Sequence, residues 1–496
     1  MGLFRTGFFQ PLQVQMEPVL PITLALPERG SRQILRSMHQ QMRAAIVDGR
    51  LSAGLRLPGS RTLAEQCGVS RNCAMAVYDL LLSEGLVAAR AGGGTFVSDI
   101  YLADPPRAAQ VAADRTPLLL PRWRNEPSVL RPSAAARFEY DFVVGLPDTS
   151  QFPFDTWRRL DARSLRQLER EPAEYAAPEG REPLRNAIAK HVSFARAVAC
   201  GGADVLVTSG AQQVFDLLAR IFIEPGVTKV AIEDPGYPPL RWALESAGAV
   251  LVPVPVDAEG MVVDRIPADA RLICVTPSHQ FPMGQVMSLR RRMALLAFAR
   301  EHGSLIVEDD YDGEFSHSSQ PLDALKSLDR DDSVFYVGTF SKSLFPGLRL
   351  GYVIAPAWAR PALVGAKQRC DWHGAVAAQD TLAAFIDDGD FARHIRKMRQ
   401  VYSQRKQILM GALQRHLAGK LSVIPAEGGL HIAALLRDGD RAEQVVAAAA
   451  GEGIRIEPVS QYALASAPPN GLVFGLGLIP THLIDQAVLR LARHLA

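Results

Sequence analysis

The sequence predicts an α/β protein, with a large domain on a mainly parallel central sheet preceded by a small basic domain of short helices and one hairpin. Two observations carry this reading. From about Glu139 onward, short apolar runs alternate with amphipathic stretches, the pattern of strands with covering helices. Between Ser31 and Val97, arginines at 32, 36, 43, 50, 56, 61, 71 and 90 face only Asp48, Glu65, Asp79 and Glu84, whereas the whole chain nets +2.

At 496 residues the chain exceeds what one core accommodates, so two or three domains are expected. Its 48% hydrophobic and 21% charged content excludes a disordered or collagen-like chain. No uninterrupted apolar stretch is long enough to cross a bilayer, so a soluble protein without a membrane partner is expected. The N-terminus lacks the basic segment and apolar run of a secretion signal. Met1 to Thr6 matches the acylation pattern MGxxxT but has no polybasic second anchor. Residues 1–30 read as a leader. Cys67, Cys73, Cys200, Cys274 and Cys370 are odd in number and scattered, with no CxxC pair or His set at ligand spacing. Reduced thiols in a cytoplasmic protein, and no metal, are expected.

Within 31–100, Ile34 to Asp48 reads as a helix with Ile34, Met38, Met42, Ala45 and Ile46 on one face. Ser60 is placed to cap a second helix that turns Leu63 and Ala64 inward and stops at Gly68. A third begins at Ser70, with Ala74, Val77, Tyr78 and Leu81 at helical spacing. Two helices joined by a glycine-containing turn form a helix-turn-helix, which presents Ser70, Arg71 and Asn72 to a major groove. Arg71 suits a guanine edge. Leu86 to Arg90 and Thr95 to Val97 read as a hairpin wing across Ala91-Gly92-Gly93-Gly94, where glycines permit close approach to a phosphate or minor groove.

The stretch "AAIVDGRLSAGLRLPGSRTLAEQCGVSRNCAMAVYDLLLSEGLVAARAGGGTFV" resembles the GntR family of winged-helix DNA-binding domains. The resemblance implies double-stranded promoter DNA as a partner, with Arg61, Ser70, Arg71, Asn72 and Gly93 at DNA-contacting positions. Arg61 has an alternative partner in Glu65 one turn away. Cys73 and Met75 stand where many relatives carry polar or basic residues, so a base preference does not transfer. Residues 101–138, rich in Pro, Ala and Arg, read as a semi-extended tether.

Residues 139–496 form the α/β part. "DVLVTSG", "KVAIEDPG", "VLVPVPV", "RLICVTPS", "SLIVEDD", "SVFYVG" and "LGYVIAP" are the expected strands, most of them apolar throughout, as in a sheet covered on both faces. Functional side chains are expected in the loops after them. Ser209 to Gln213 opens a helix whose first amides can bind a phosphate. Asp309 ends a strand with Tyr311 two residues on, and Thr339, Ser341, Lys342 and Arg349 cluster after another. A lysine among hydroxyl residues, with an arginine seven residues later, suits an aldehyde-phosphate cofactor: the amine forms a Schiff base while hydroxyls and guanidinium hold the phosphate. A buried aspartate keeps a pyridine nitrogen protonated.

This set resembles the fold-type-I, aspartate aminotransferase family, whose cofactor is pyridoxal 5'-phosphate. By that resemblance Lys342 in "GTFSKSLFPGLRLGY" is the internal aldimine lysine, and Arg349 and Thr339 hold the phosphate with the amides of Ala211 and Gln212. Asp309 in "VEDDYDGEF" partners the pyridinium, Tyr311 donates to the ring hydroxyl, and Tyr237 in "EDPGYPP" stacks on the ring. Tyr175 in "YAAPEGREPLR" reaches the neighbouring subunit's phosphate, which implies a homodimer. Two departures stand out. Phe281 in "HQFPMG" replaces a ring-binding asparagine, leaving that role vacant or passed to His279 or Gln280. Gly475 stands about where the family places its carboxylate-clamping arginine, with Arg455 as a candidate substitute. The two halves together resemble the MocR/GabR family of bacterial transcriptional regulators, implying a dimer that senses a small amine or pyridoxal 5'-phosphate itself. Pro239 occupies the position of an arginine in members that sense GABA. An active aminotransferase carrying a DNA-binding module is the competing reading.

Overall fold

The structure, a computed structural model, describes residues 18–27, 31, 33–90, 93–99, 115–119, 121–124, 138–315, 323–426, 428–437, 441–464 and 468–495. The start of the expected leader and most of the expected tether lie outside the described residues. The chain divides into two compact units, Met1–Pro127 and Ser128–Ala496.

The first unit holds helices Ile34–Val47, Ser60–Cys67 and Arg71–Ser83, followed by an antiparallel hairpin of Val87–Arg90 and Gly94–Val97. The apolar stripes read from the sequence meet in one core, where Met38, Met42, Leu63, Val77 and Leu81 are fully buried. Ser60 is not a cap: Gly59 takes the N-cap position with extended backbone, and Ser60 is the first helical residue. Ser70 does cap, its Oγ accepting from the Cys73 amide at 3.2 Å. Residues 18–27, assigned to the leader by sequence, lie along this core. Leu20 is buried in it, and the Gln41 side chain bonds Ala25 through both its amide groups at 2.7 and 2.8 Å.

In the second unit all seven expected strands join one sheet. Its order is Val205–Thr208, Gly351–Ile354, Val334–Thr339, Leu305–Asp310, Leu272–Val275, Lys229–Asp234, Val250–Asp257 and Gly260–Met261. Gly351–Ile354 and Gly260–Met261 run against the others, so the sheet is mainly parallel as expected. Alternate residues supply two opposed cores: Leu305, Val307, Phe335 and Val337 pack on one face, Ile306 and Val334 on the other. Val250–Asp257 is the exception in burial, and it carries Pro253 and Pro255, which cannot donate to a ladder and suit the margin of a sheet.

A second, antiparallel sheet, in the order Leu421–Val423, His431–Leu436, Gly471–Gly475 and Glu457–Pro458, was not read from the sequence. Beside it Ile454–Arg455 pairs in parallel with Tyr140–Asp141. That pairing carries residues 142–145 to the C-terminal ends of the large sheet's strands, where the candidate site lies.

Candidate functional site

The first unit presents a basic surface. Arg71 and Asn72 are exposed at the N-terminal end of their helix, where unpaired amides and the helix dipole favour phosphate. Arg61 is exposed, and among the described residues it forms no ion pair with Glu65. The wing adds cations that the sequence reading counted only as charge. The Arg90 guanidinium lies 4.7 Å from the Phe96 ring centre, and Arg56 lies against Gly94, where an added Cβ would sit 3.2 Å from its Nε. Gly93 is in the turn, but the left-handed residue is Gly94, at φ +101°.

In the second unit a cavity of about 540 Å³ gathers Lys342, Asp309, Tyr311, Tyr237, Thr339, Arg349, Ala211 and Gln212. Lys342 follows the strand Val334–Thr339 by three residues, and its Nζ donates to the Gly145 carbonyl at 2.6 Å. Thr339 Oγ1 accepts from the Ser341 amide at 3.2 Å. Arg349 donates to the Ser209 carbonyl at 2.9 Å, which places its guanidinium over the loop opening the helix Ala211–Phe222. Gly210 in that loop has φ +82°, and an added Cβ would lie 3.1 Å from Arg349 Nη2. Both the backbone and the arginine's approach require glycine there.

Asp309 is the penultimate residue of the strand Leu305–Asp310 and is buried, yet among the described residues its Oδ1 has no hydrogen-bond partner. A buried carboxylate oxygen without a donor is costly, and it marks where a cationic N–H would be welcome. Burial, with Asp310 beside it, pushes this carboxyl up to about 8 against the pull of Lys342. Burial also pushes Glu233 up to about 7, although Thr276 and Gln280 donate to it. The folded, cofactor-free protein therefore holds protons that the unfolded chain releases near the ordinary value of 3.8. The contribution is fully present below that value and is lost as pH rises through about 8. Asp309→Asn should flatten this loss of thermal stability between about pH 4 and about pH 8. An unchanged slope in melting experiments would contradict the assignment.

Tyr311 donates to the His279 carbonyl at 3.0 Å and lies 2.9 Å from His279 Nδ1, which also meets Asp312 at 2.9 Å. His279, read as a cofactor contact, does not line the cavity: it stands behind Tyr311, buried against Asp312 and His431. Ligating atoms of His279, Asp312 and His431 lie within 4.8 Å of one another, a cluster assembled from three segments that sequence spacing does not reveal. Gln280 is also unavailable, its side chain being spent on Glu233, on the Pro235 and Phe281 carbonyls and on the Met283 amide. Phe281 itself faces the cavity, 5.2 Å from the Tyr237 ring. The ring-binding asparagine has no polar substitute in this element. Tyr175 is not brought to the cavity. It is exposed and stacks on Trp372 at 4.8 Å.

Gly475 lies on a buried strand, where an added Cβ would stand 1.9 Å from the Val143 carbonyl oxygen. No side chain fits, so an arginine is excluded at this position. Arg455 does line the cavity, as do Arg241, Trp242 and Glu457, which the sequence reading did not single out. Arg241 was legible in principle, since it falls one helical turn after Tyr237.

Comparison with known proteins agrees with this architecture. Residues 142–471 match aminotransferase class I and II, and residues 36–97 match the gntR family of bacterial regulatory proteins. The chain is 35% identical to the probable rhizopine catabolism regulatory protein MocR of Rhizobium meliloti, over 89% of both chains. It is 31% identical to the pyridoxine biosynthesis transcriptional regulator PdxR of Corynebacterium glutamicum, over 92% of this chain and 94% of that protein. Kynurenine aminotransferase of Pyrococcus horikoshii, solved with PMP, superposes with a TM-score of 0.66 at 27% identity, covering 71% of this chain and 89% of the other. A GntR winged helix followed by an aminotransferase class I and II domain, with full-length relatives of the same build, shows that the chain belongs to the MocR/GabR-type transcriptional regulators.

Proposed function

We propose that the protein is a cytoplasmic, homodimeric transcriptional regulator that binds promoter DNA through its winged helix and senses a small amine, or pyridoxal 5'-phosphate itself, at Lys342. One observation carries the reading. A cavity holding Lys342, Arg349 and the unpartnered Asp309 Oδ1 belongs to a chain whose other unit exposes Arg71 at the head of a recognition helix.

The residues present fit the cofactor. The Asp309 oxygen would accept a pyridinium N–H, Arg349 with the Ala211 and Gln212 amides would receive the phosphate, and Tyr237 would meet a face of the ring. Bound there, pyridoxal 5'-phosphate supplies an aldehyde that condenses reversibly with amines. The Gly145 carbonyl orients the Lys342 amine, and Asp309 keeps a proton at the ring-nitrogen end of the cavity. Tyr175 and Trp372 offer an exposed aromatic pair to a second copy, and residues 101–138 serve as the tether. Among the described residues no helix is long and apolar enough to cross a membrane.

Arg71→Ala should weaken binding to the promoter by about 1–3 kcal/mol, roughly 5- to 150-fold, and relax specificity at one base position. Arg56→Ala should weaken all sequences alike and reduce the salt dependence. Fluorescence anisotropy on specific and scrambled duplexes separates the two, and wild-type affinity in Arg71→Ala would remove that residue from the interface. The aminotransferase reading is favoured by the complete set of Lys342, Asp309 and Tyr311 and opposed by the closed position 475. Sustained release of an oxo-acid from an amino donor would establish it.

A further inference from the structure

Three buried side chains beside the cavity take no part in the chemistry assigned above. His279 comes from the loop after the strand Leu272–Val275, Asp312 from the loop after Leu305–Asp310, and His431 opens the strand His431–Leu436 of the second sheet. One ligating atom from each lies within 4.8 Å of the other two, and their relative exposures are 4%, 2% and 1%. Asp312 Oδ2 meets His279 Nδ1 at 2.9 Å and accepts from the Leu430 amide at 3.3 Å. His431 bonds the Pro282 carbonyl. Among the described residues, however, Nε2 of both imidazoles is buried with no hydrogen-bond partner. A carboxylate and a carbonyl can only accept, so each ring carries its proton at Nδ1 and a bare lone pair at Nε2. Buried acceptors without a donor are costly, and here two of them are enclosed in one cluster. Gly429 makes room for it: an added Cβ there would stand 2.0 Å from His279 Cε1.

We infer that His279, Asp312 and His431 form a site for one divalent transition-metal ion, structural in role, that ties the second sheet to the large one. Two imidazoles with a carboxylate are a donor set that suits zinc and its first-row neighbours. An imidazole that gives its Nδ1 proton to a carboxylate or carbonyl and keeps Nε2 bare is the form in which histidine is presented to a metal. Asp312 imposes that form on His279 and the Pro282 carbonyl imposes it on His431, while the carboxylate offsets part of the ion's charge. Rings that share an ion at about 2.1 Å from each nitrogen have centres on the order of 5 Å apart, close to the 4.5 Å found here. His431 also lines the cavity, which gives an ion a path from solvent. The inference stands apart from the cofactor reading, since none of the three side chains is among the groups placed on pyridoxal 5'-phosphate.

The full chain, free of any histidine tag and stripped of metal with a chelator, is titrated with Co²⁺, whose visible bands report nitrogen donors, and then with Zn²⁺ in competition. The wild type should take up one equivalent at micromolar or lower concentrations, and its melting temperature should rise with the metal. Asp312→Asn should weaken uptake about 10- to 100-fold. His279→Gln and His431→Phe, the second of which keeps a buried ring, should weaken it by at least as much. His302→Ala, at an exposed helix end, should leave it unchanged. X-ray absorption at the cobalt edge of the wild type should show two imidazoles, a result that does not depend on how any variant folds. Three outcomes would each overturn the inference: no stoichiometric uptake by the wild type, an absorption spectrum with oxygen donors alone, or unaltered affinity in a folded His431→Phe protein. Water or a shared proton would then satisfy the two nitrogens.

Discussion

Lys342→Ala is expected to abolish covalent attachment of pyridoxal 5'-phosphate and to uncouple DNA binding from the effector. Lys342 is the amine at the inner end of the cavity, held by the Gly145 carbonyl at 2.6 Å within the field of Asp309. Borohydride treatment of the loaded wild type should add the cofactor's mass to the peptide containing Lys342, and the variant should show no addition there. Residual binding through Arg349, the Ala211 and Gln212 amides and Asp309 should be about 100-fold weaker or more, a loss on the order of 3 kcal/mol. DNA affinity without effector should persist, because the groups placed on DNA belong to the other unit. A Lys342→Ala protein whose promoter occupancy still follows the effector as in the wild type would refute amine exchange at this residue as the switch, since a ligand shifts an equilibrium only through its unequal affinity for the two states.

Much of this site was legible before any coordinates. The strands ending at Thr208, Asp234, Val275, Asp310 and Thr339 are apolar enough to announce a covered parallel sheet, and such a sheet places its chemistry at those ends. Lys342, Asp309, Tyr311, Thr339 and Arg349 therefore stood out together, the resemblance to the aminotransferase family added Tyr237, and the structure brings all of them to one cavity.

Other features depend on long-range packing that local patterns do not encode. His279 sits in a motif beside Phe281, so nothing local distinguishes a ring contact from a residue behind Tyr311. Its partners Asp312 and His431 are 33 and 152 positions away in the chain. Ser60 had the chemistry of a cap, but the turn after Pro58 puts Gly59 in the extended position instead. In the second sheet Leu421–Val423 and Glu457–Pro458 span only three and two residues, and Ala433, Ala434, Gly471 and Gly475 dilute the apolar pattern of His431–Leu436 and Gly471–Gly475.

Gly475 tests whether the missing arginine is an accident of sequence or a consequence of the backbone. Restoring it by Gly475→Arg, the obvious route to better recognition of α-amino acids, should destabilise the second unit and not raise transamination. The Gly475 amide donates to the Phe142 carbonyl at 2.8 Å, holding residues 142–145 directly against the strand Gly471–Gly475. A Cβ would lie 1.9 Å from Val143 O, 2.5 Å from its carbonyl carbon and 2.9 Å from Phe142 O, all of them backbone atoms that no rotamer change can move. Relief requires parting the two segments, which would also shift the Gly145 carbonyl that orients Lys342. Even Gly475→Ala should therefore cost about 3 kcal/mol or more, at the upper end of overpacking effects and a large share of a typical domain's stability. Gly451→Ala is the matched control, because a Cβ at that exposed helix end meets nothing within 4 Å. Thermal unfolding should show a marked fall for the substitution at 475 and little change at 451. Cofactor uptake, read by mass after borohydride, should fall with the former alone. A stable Gly475→Arg protein that gains aminotransferase turnover would show that the backbone at residues 142–145 yields readily, and that this regulator lies one substitution from an enzyme.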